Sequence, residues 1–294
     1  FALTHAGRHN FWSALWFDPT VEKKLPPPGP RLWVSDLDRV VARTGFEKEH
    51  LVVAMRSGPP ANHEHADRNS IIVKCFGEQL VTDPLRPPYS YSDPAWKMRL
   101  TEGHSAVLID GRNHEHHNGI EGTNASNSFA RIVEHKDTEH FATWVSNASQ
   151  PYRRVDTDIK SVVRSMAVLY ALPAVVVVDR ITKWTDPSTV QARFFGYNLD
   201  GRLELHAEDA AFTVKRPGVV MQARTFSTGP VSCRVGELDV PQELARKHPF
   251  VDVAVPPTRD VTLVTVLTMA RAGSPLPAVE GHLDGSEFSI SLGS

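Results

Sequence analysis

Apolar positions along most of the chain fall in short runs with alternating polar residues, and turn residues separate the runs. Such runs occupy residues 51–55, 71–76, 106–109, 141–145, 174–178, 190–195, 219–223, 231–235, 261–269 and 288–292. This spacing is typical of β-strands. Helices of ten or more residues are missing between most of the runs, so antiparallel layers are favoured over a parallel sheet. The pattern predicts an all-β fold, a large antiparallel β-sandwich.

The first thirty residues follow a different pattern. Aromatic and aliphatic residues in 1–17 recur at near-helical spacing, and the proline-rich stretch 25–30 cannot continue a helix. We therefore predict a terminal helix and proline-rich linker over 1–30, followed by one sandwich domain over 31–294. Residues 36–43 and 241–247 are compatible with short helices that leave this scheme unchanged.

Composition excludes several classes of protein. The 294 residues include 32 Lys and Arg against 34 Asp and Glu, a net charge of -2 that offers no overall basic surface for nucleic acid. The longest apolar stretch, 166–178, contains Pro173 and is shorter than the roughly 18–20 residues of a membrane helix, so no membrane span is predicted. Two cysteines, Cys75 and Cys233, rule out a disulfide-rich scaffold and leave one optional bridge.

Histidines cluster before and after the strand predicted at 71–76. In an extended backbone, His63 and His65 project to one face and Glu64 to the other. Two neutral imidazoles suit a zinc-class ion, and a third ligand from a neighbouring strand would complete the site. The alternative is a pair of solvated loop histidines. A cupin-type metal site requires an acid where Asn69 and Ser70 stand, so a metal-dependent jelly-roll enzyme is only a minor alternative.

A longer succession of motifs follows the histidine pair. Residues 77–84 read Gly-Glu-Gln-Leu-Val-Thr-Asp-Pro, and residues 99–111 read Arg-Leu-Thr-Glu-Gly-His-Ser-Ala-Val-Leu-Ile-Asp-Gly. Their order and spacing across residues 57–111 resemble the heparinase II/III-like C-terminal domain of polysaccharide lyases. The chain departs from that pattern at Ser105-Ala106, where Asn-Thr is usual, and at Leu85, where Gly is common.

The resemblance implies roles for individual residues. His65, Asp83 and His104 would hold one zinc ion that is chiefly structural and fixes the segment bearing His63. The same resemblance directs His63 towards a substrate cleft, where it would help to position or neutralise a uronate.

The resemblance also implies an activity and a partner domain. Members of the family cleave uronate-containing glycans by β-elimination and draw their principal histidine and tyrosine from an N-terminal helical toroid, of which we expect only the end, residues 1–30, in this sequence. We therefore expect an acidic polysaccharide or oligosaccharide substrate, a polysaccharide lyase in the intact protein, little activity in the isolated chain, and a periplasmic or secreted location. The competing hypothesis is a non-catalytic, zinc-stabilised carbohydrate-binding or scaffold domain.

Other candidates follow from residue type alone. Tyr89 and Tyr91 are candidates to stack on a sugar, with packing as the alternative. Arg68 and Arg99 are candidates to pair with a glycan carboxylate, with a structural salt bridge as the alternative. The loop 114–117, His-Glu-His-His, is expected to be flexible and solvated.

Overall fold

A computed structural model describes residues 20, 29–60, 64–84, 87–116, 127–241, 248–285 and 287–293. The helix predicted over 1–17 lies outside these residues, as do most of the proline-rich linker and nearly all of the short helix considered at 241–247. The division of the chain at residue 30 therefore stays a prediction.

The described residues form nineteen strands and three short helical segments. The strands are β1 (Leu32–Val34), β2 (Arg39–Arg43), β3 (Val52–Arg56), β4 (Ser70–Cys75), β5 (Glu78–Thr82), β6 (Val107–Ile109), β7 (Arg131–Asp137), β8 (Phe141–Asn147), β9 (Ile159–Leu169), β10 (Ala174–Lys183), β11 (Ser188–Gly196), β12 (Glu204–Glu208), β13 (Ala211–Arg216), β14 (Val219–Ser227), β15 (Ser232–Glu237), β16 (Pro249–Thr258), β17 (Asp260–Arg271), β18 (Ala278–Asp284) and β19 (Glu287–Gly293). The helical segments are two 3-10 helices, Pro94–Arg99 and Thr101–Gly103, and the α-helix α1, Ser149–Arg153.

The strands build two large antiparallel sheets, which we call sheet A and sheet B. In sheet A the order is β1-β2-β3-β4-β5-β11-β16-β15, with β6 also paired to β11. In sheet B it is β12-β13-β14-β17-β10-β9-β8-β7, and β18 and β19 form a separate hairpin. The predicted antiparallel β-sandwich is confirmed.

One large apolar core lies between the two sheets. Alternate residues of each strand point into it, among them Val53 and Ile71 from sheet A and Trp144 and Val177 from sheet B. A smaller cluster packs the hairpin β18–β19 against the outer face of sheet B, where Val279 meets Val264 and Val266.

The structure corrects the short helix considered at residues 36–43 and shows the state of the two cysteines. Residues 36–43 are not a helix: β2 runs from Arg39 to Arg43, because Val40 and Ala42 alternate into the core as a strand requires. Cys75 and Cys233 form no bridge; both are buried and free, and burial raises the pKa of each thiol to about 12.

The hairpin between β4 and β5 shows how local sequence sets register near the candidate site. Its turn consists of Phe76 and Gly77, both with positive φ (50° and 81°), as a tight type I′ turn requires. Cys75 pairs with Glu78 across the turn. This register brings the end of β5, and therefore Asp83, beside the start of β4.

A buried ion pair in sheet B reaches across the sandwich to this region. Nε and Nη2 of Arg164 on β9 donate to both carboxylate oxygens of Asp179 on β10, at 2.7 and 2.9 Å. Nη1 of the same guanidinium donates to the backbone carbonyls of Asn69 (2.8 Å) and Ser105 (2.9 Å). One cation thus ties two loops of sheet A to two strands of sheet B.

No helix among the described residues has the length and apolar character needed to cross a membrane.

We predict that Asp179→Ala lowers the free energy of unfolding by about 3–5 kcal/mol, because it leaves the fully buried guanidinium of Arg164 without its counter-charge. Urea denaturation measures the change. The control is Glu49→Ala, which removes the partner of Arg271 in an exposed ion pair and should cost less than about 1 kcal/mol. Equal losses in the two variants would contradict the structural role given to the buried pair.

Candidate functional site

Three loops bring the predicted zinc ligands together at one end of sheet A. His65 lies in the segment that leads into β4, Asp83 directly follows β5, and His104 directly follows the second 3-10 helix. The hairpin β4–β5 places the first two segments side by side. The third is held against them by the bond between Arg164 and the Ser105 carbonyl.

The carboxylate of Asp83 is the hub of the site. The Ser70 hydroxyl donates to its two oxygens at 2.9 and 3.0 Å, and the Ser105 backbone N–H donates to Oδ1 at 2.9 Å. Nδ1 of His104 lies 3.0 Å from Oδ2. Asp83 is therefore contacted from two neighbouring segments, by Ser70 at the start of β4 and by His104 and Ser105 in one loop, and these contacts set its position and orientation.

His104 is buried and has unused ring nitrogens. Neither Nδ1 nor Nε2 has a hydrogen-bond partner among the described residues, because Nδ1 and the Asp83 carboxylate are close but not aligned as donor and acceptor. Burial alone lowers the pKa of His104, but the Asp83 carboxylate outweighs burial, and the net pKa is raised. A carboxylate beside a buried imidazole with orphan nitrogens is an arrangement that a bound cation would complete.

His65 lies next to this pair. Its ring centroid is 5.2 Å from that of His104, with the ring planes inclined at 47°. Burial, followed by the positive charges of His104 and Arg99, lowers the pKa of His65 to about 2. The imidazole of His65 is therefore neutral at physiological pH, which is the form that binds metals.

The residue types of His65, Asp83 and His104 suit a zinc ion, but their side chains are not grouped as zinc ligands. Two imidazoles and a carboxylate are a normal zinc donor set, and the orphan nitrogens of His104 lack partners. Within the ranges described, however, no three His, Cys, Asp or Glu side chains are grouped closely enough to hold an ion. His104 Nδ1 lies 3.0 Å from Asp83 Oδ2, and the His65 ring lies beside His104.

Glu64 points away from His65, as the alternation predicts, into a buried ion-pair network. Its carboxylate contacts the guanidinium groups of Arg56 and Arg68, and Arg68 also pairs with Asp67. Arg68 is fully buried and donates to the Ser128 carbonyl at 2.8 Å. This geometry favours the structural salt bridge over the predicted glycan contact for Arg68, because a guanidinium enclosed by the protein cannot reach a ligand.

Arg99 supports an aromatic surface next to His65. Its side chain is only 2% exposed, and Nε donates to the Pro88 carbonyl at 2.7 Å. The guanidinium carbon lies 4.8 Å from the ring centroid of Tyr89 and 5.1 Å from that of Trp96. Tyr89 and Tyr91 are 68% and 51% exposed, so both remain available as sugar contacts. Arg99 therefore acts beneath this surface, by positioning Tyr89.

The described part of the loop 114–117 is packed, which corrects the expectation of a flexible, solvated loop. His114 is buried; its Nδ1–H donates to the Glu115 carbonyl at 2.9 Å, and its Nε2 accepts the Arg68 backbone N–H at 3.1 Å. Nε2 of His116 donates to the Glu64 carbonyl at 3.0 Å. These side chains brace the segment that carries His65.

The predicted catalytic residue is not tested by the structure, and several residues that support the site were not predicted from the sequence. His63 lies outside the described residues, so its catalytic role stays a prediction. Sequence reasoning missed Ser70, His114, Arg164 and Asp179 as supports of the site. Two of them carried a signal through the family resemblance: Ser70 ends the motif that begins at His63, and Asp179 lies in the Val-Asp-Arg run at 178–180.

We predict that the stability of the chain falls as the pH decreases below about 6.5, partly through His114. Burial lowers the pKa of His114 well below 6.5, so below that pH the histidine is protonated in the unfolded chain but stays neutral in the folded chain. The free energy of unfolding that this difference contributes is therefore fully present above pH 6.5 and decreases below it. His114→Gln keeps an acceptor that does not titrate and should remove up to about 1.4 kcal/mol per pH unit of this slope. Urea titrations from pH 5 to 8 measure it, with the exposed His135→Gln as control. An unchanged slope in His114→Gln would contradict the assignment.

Comparison with known proteins places this fold in a family. The family model described as "Heparinase II/III-like, C-terminal" matches residues 36–256. Curated protein sequences contain no match to the chain.

Three similar solved structures are lyases of heparin-type glycans by name. Heparan sulfate lyase HepC from Pedobacter heparinus has a TM-score of 0.73 and 13% identity, over 92% of this chain and 42% of its own. A heparinase III gene product with methylated lysines has a TM-score of 0.73 and 15% identity, over 92% and 41%. A further heparinase III has 0.72 and 12%, over 90% and 41%. At these identities the likeness shows the fold, and the chain spans about two fifths of each relative.

The match over residues 36–256 covers well over half of the chain, and it includes β2 to β15, most of β16 and all three predicted zinc ligands. The chain therefore belongs to the heparinase II/III-like C-terminal domain family.

Proposed function

We propose that this chain is the β-sandwich part of a polysaccharide lyase that cleaves uronate-containing glycans by β-elimination. The observation that carries the proposal is the juxtaposition of His65, Asp83 and His104 with the exposed ring of Tyr89, through Arg99. The names of the similar structures, a heparan sulfate lyase and heparinases, support an acidic glycan as substrate.

The chemistry explains why these residue types are needed. The C5 proton of a uronate is weakly acidic, so its removal requires the carboxylate to be neutralised and the developing negative charge to be stabilised. A histidine or tyrosine within hydrogen-bond reach then serves as base or acid. On this chain His63 takes the substrate-facing role.

Zinc is the second element of the proposal. One ion would be held by His65, Asp83 and His104, and it would supply positive charge that fixes the loop before β4. The residues of the chain do the positioning: Ser70 and Ser105 orient the Asp83 carboxylate, and His116 braces the backbone of Glu64. Loss of the metal is therefore expected to lower the stability of the fold more than it changes the catalytic step.

A non-catalytic carbohydrate-binding domain is the second candidate. It is favoured by the enclosed position of Arg68, which takes one candidate for carboxylate neutralisation out of reach, while Tyr89 and Tyr91 remain exposed. For both candidates we propose that the protein is periplasmic or secreted, as the family resemblance implies.

We predict that the purified chain contains about one zinc ion and that His65→Ala loses it together with part of the thermal stability, because metal binding is coupled to folding. Elemental analysis and thermal denaturation measure both quantities. The control is His135→Ala, which removes an exposed histidine on β7. Unchanged zinc content in His65→Ala would show that the ligand set is wrong.

We predict that the isolated chain produces little or no unsaturated uronate from alginate, heparan sulfate or chondroitin, because base, acid and carboxylate-neutralising groups must act together. In a protein that also carries the helical toroid, His63→Ala should lower turnover by roughly 10²-fold or more and leave zinc content unchanged. Absorbance of the unsaturated product follows the reaction, with His282→Ala as control. Full activity of the isolated chain would place base and acid within it and contradict this division of roles.

A further inference from the structure

The first four strands of sheet A have an outward face that the candidate site does not use. Val40, Val53 and Ile71 point into the core, so the residues that alternate with them lie on the outside. We call this the β1–β4 outer face, and it is defined by Trp33, Arg39, Val41, Arg43, Ile72 and Lys74.

An apolar row crosses this face from strand to strand. The register pairs Trp33 with Val41, Val41 with Ala54, and Ala54 with Ile72. At the usual spacing of neighbouring strands the row is about 14 Å long. Trp33 is 45% exposed and Ile72 39% exposed, so an indole ring and an isoleucine stand open to solvent at its two ends.

The same four strands are positively charged. They contain Arg39, Arg43, Arg56 and Lys74 and no Asp or Glu, in a chain whose net charge is -2. Arg56 is neutralised by Glu64 and Asp67. Among the residues that the structure describes, no carboxylate pairs with the other three cations. The guanidinium of Arg43 instead lies over the exposed ring of Phe46, 5.1 Å from its centroid.

Two of the cations flank the residue that lies opposite the tryptophan. Arg39 and Arg43 are the residues on either side of Val41 along the same face of β2, and Val41 is the direct cross-strand neighbour of Trp33. Lys74 shares a row with Arg43, two strands away, with Val52 between them. An aromatic ring with unpaired cations on both sides suits a ligand that combines flat apolar ring faces with anionic groups.

We propose that the β1–β4 outer face binds a segment of acidic glycan, with one sugar ring stacked on Trp33, acidic groups of that ring or its neighbours at Arg39 and Arg43, and an acidic group of a later sugar at Lys74. The inference rests on the proposed function for the kind of glycan, and it adds a second contact surface to it. The surface is continuous with the candidate site: Ser70, which donates to Asp83, lies on the same face of β4 as Ile72 and only two residues away. A glycan held on this face therefore extends towards the site.

A nucleic acid is the competing polyanion. It also combines stacking rings with negative charge, but its binding depends on a broad basic surface that a chain with a net charge of -2 does not provide. One exposed indole with Arg39 and Arg43 diagonal to it and Lys74 three strands away matches a sugar chain with widely spaced acidic groups better.

Binding of the full chain to heparan sulfate and alginate oligosaccharides tests the inference. Trp33→Ala should weaken binding about tenfold, whereas Trp33→Phe, which keeps a stacking ring, should stay within about twofold of the unsubstituted chain. The matched control is Trp184→Ala, which removes another exposed tryptophan beside a cation, Lys160, at the end of β10. Melting temperatures confirm that the variants fold.

The charge is tested with a triple variant, Arg39→Gln, Arg43→Gln and Lys74→Gln. It should flatten the salt dependence of glycan binding, whereas Lys136→Gln, Lys215→Gln and Arg224→Gln, an equal charge change on sheet B, should not. Polyglutamate and single-stranded DNA are the comparison ligands.

The outcomes separate this inference from the proposed function. Glycan binding unaffected by Trp33→Ala overturns the inference, as does an equal loss of binding for glycan, polyglutamate and DNA. If binding depends on Trp33 but the protein with its toroid forms no unsaturated product, the inference stands and the proposed lyase function fails. If product forms and depends on His63 while Trp33→Ala changes nothing, the reverse holds.

Discussion

The buried guanidinium of Arg164 is the constraint on which the candidate site depends. Asp179 neutralises it with two hydrogen bonds, and two further bonds go to the carbonyls of Asn69 and Ser105. A buried charge requires all of its donors to be satisfied, so the two loops of sheet A cannot shift without leaving a donor unpaired. The loops that follow His65 and carry His104 therefore keep one relative position, set from the opposite sheet.

This constraint explains how the site tolerates its departure from the family pattern. Ser105 stands where asparagine is usual, yet its backbone N–H donates to Asp83 and its backbone carbonyl accepts from Arg164. Its hydroxyl donates to the Thr82 carbonyl and accepts the Phe195 N–H. The two contacts that reach the site are made by backbone atoms, which every residue except proline supplies. The side chain only has to fill its space and satisfy its own hydroxyl.

Local pattern predicted ten of the nineteen strands and the opposite directions of Glu64 and His65, because each of these follows from spacing within a few residues. Asp83 and His104 were identified only through the resemblance to the family motif. The burial of His114 and Arg68 was not predictable in this way. His114 accepts from the Arg68 backbone across 46 residues, and Arg68 donates to Ser128 across 60. From its polar composition alone, the His-Glu-His-His run at 114–117 is expected to be solvated, because the distant residues that bury it cannot be read from the local sequence. The same holds for residues 36–43, where sheet pairing decided between helix and strand.

The positive charges of the chain thus include buried ones that are paired with carboxylates and outward-facing ones that are not. Arg68 and Arg164 lie inside the protein, where an unpaired charge is costly, and both are matched by carboxylates. Arg39, Arg43 and Lys74 lie on an outward face, where Arg39 is exposed and the other two are partly exposed, and among the described residues no carboxylate pairs with them. Charges of the first kind hold the loops of the site in place. Charges of the second kind are the ones a ligand can reach, so the proposed recognition of an acidic glycan would depend on surface residues beside the site and not on the buried arginines within it.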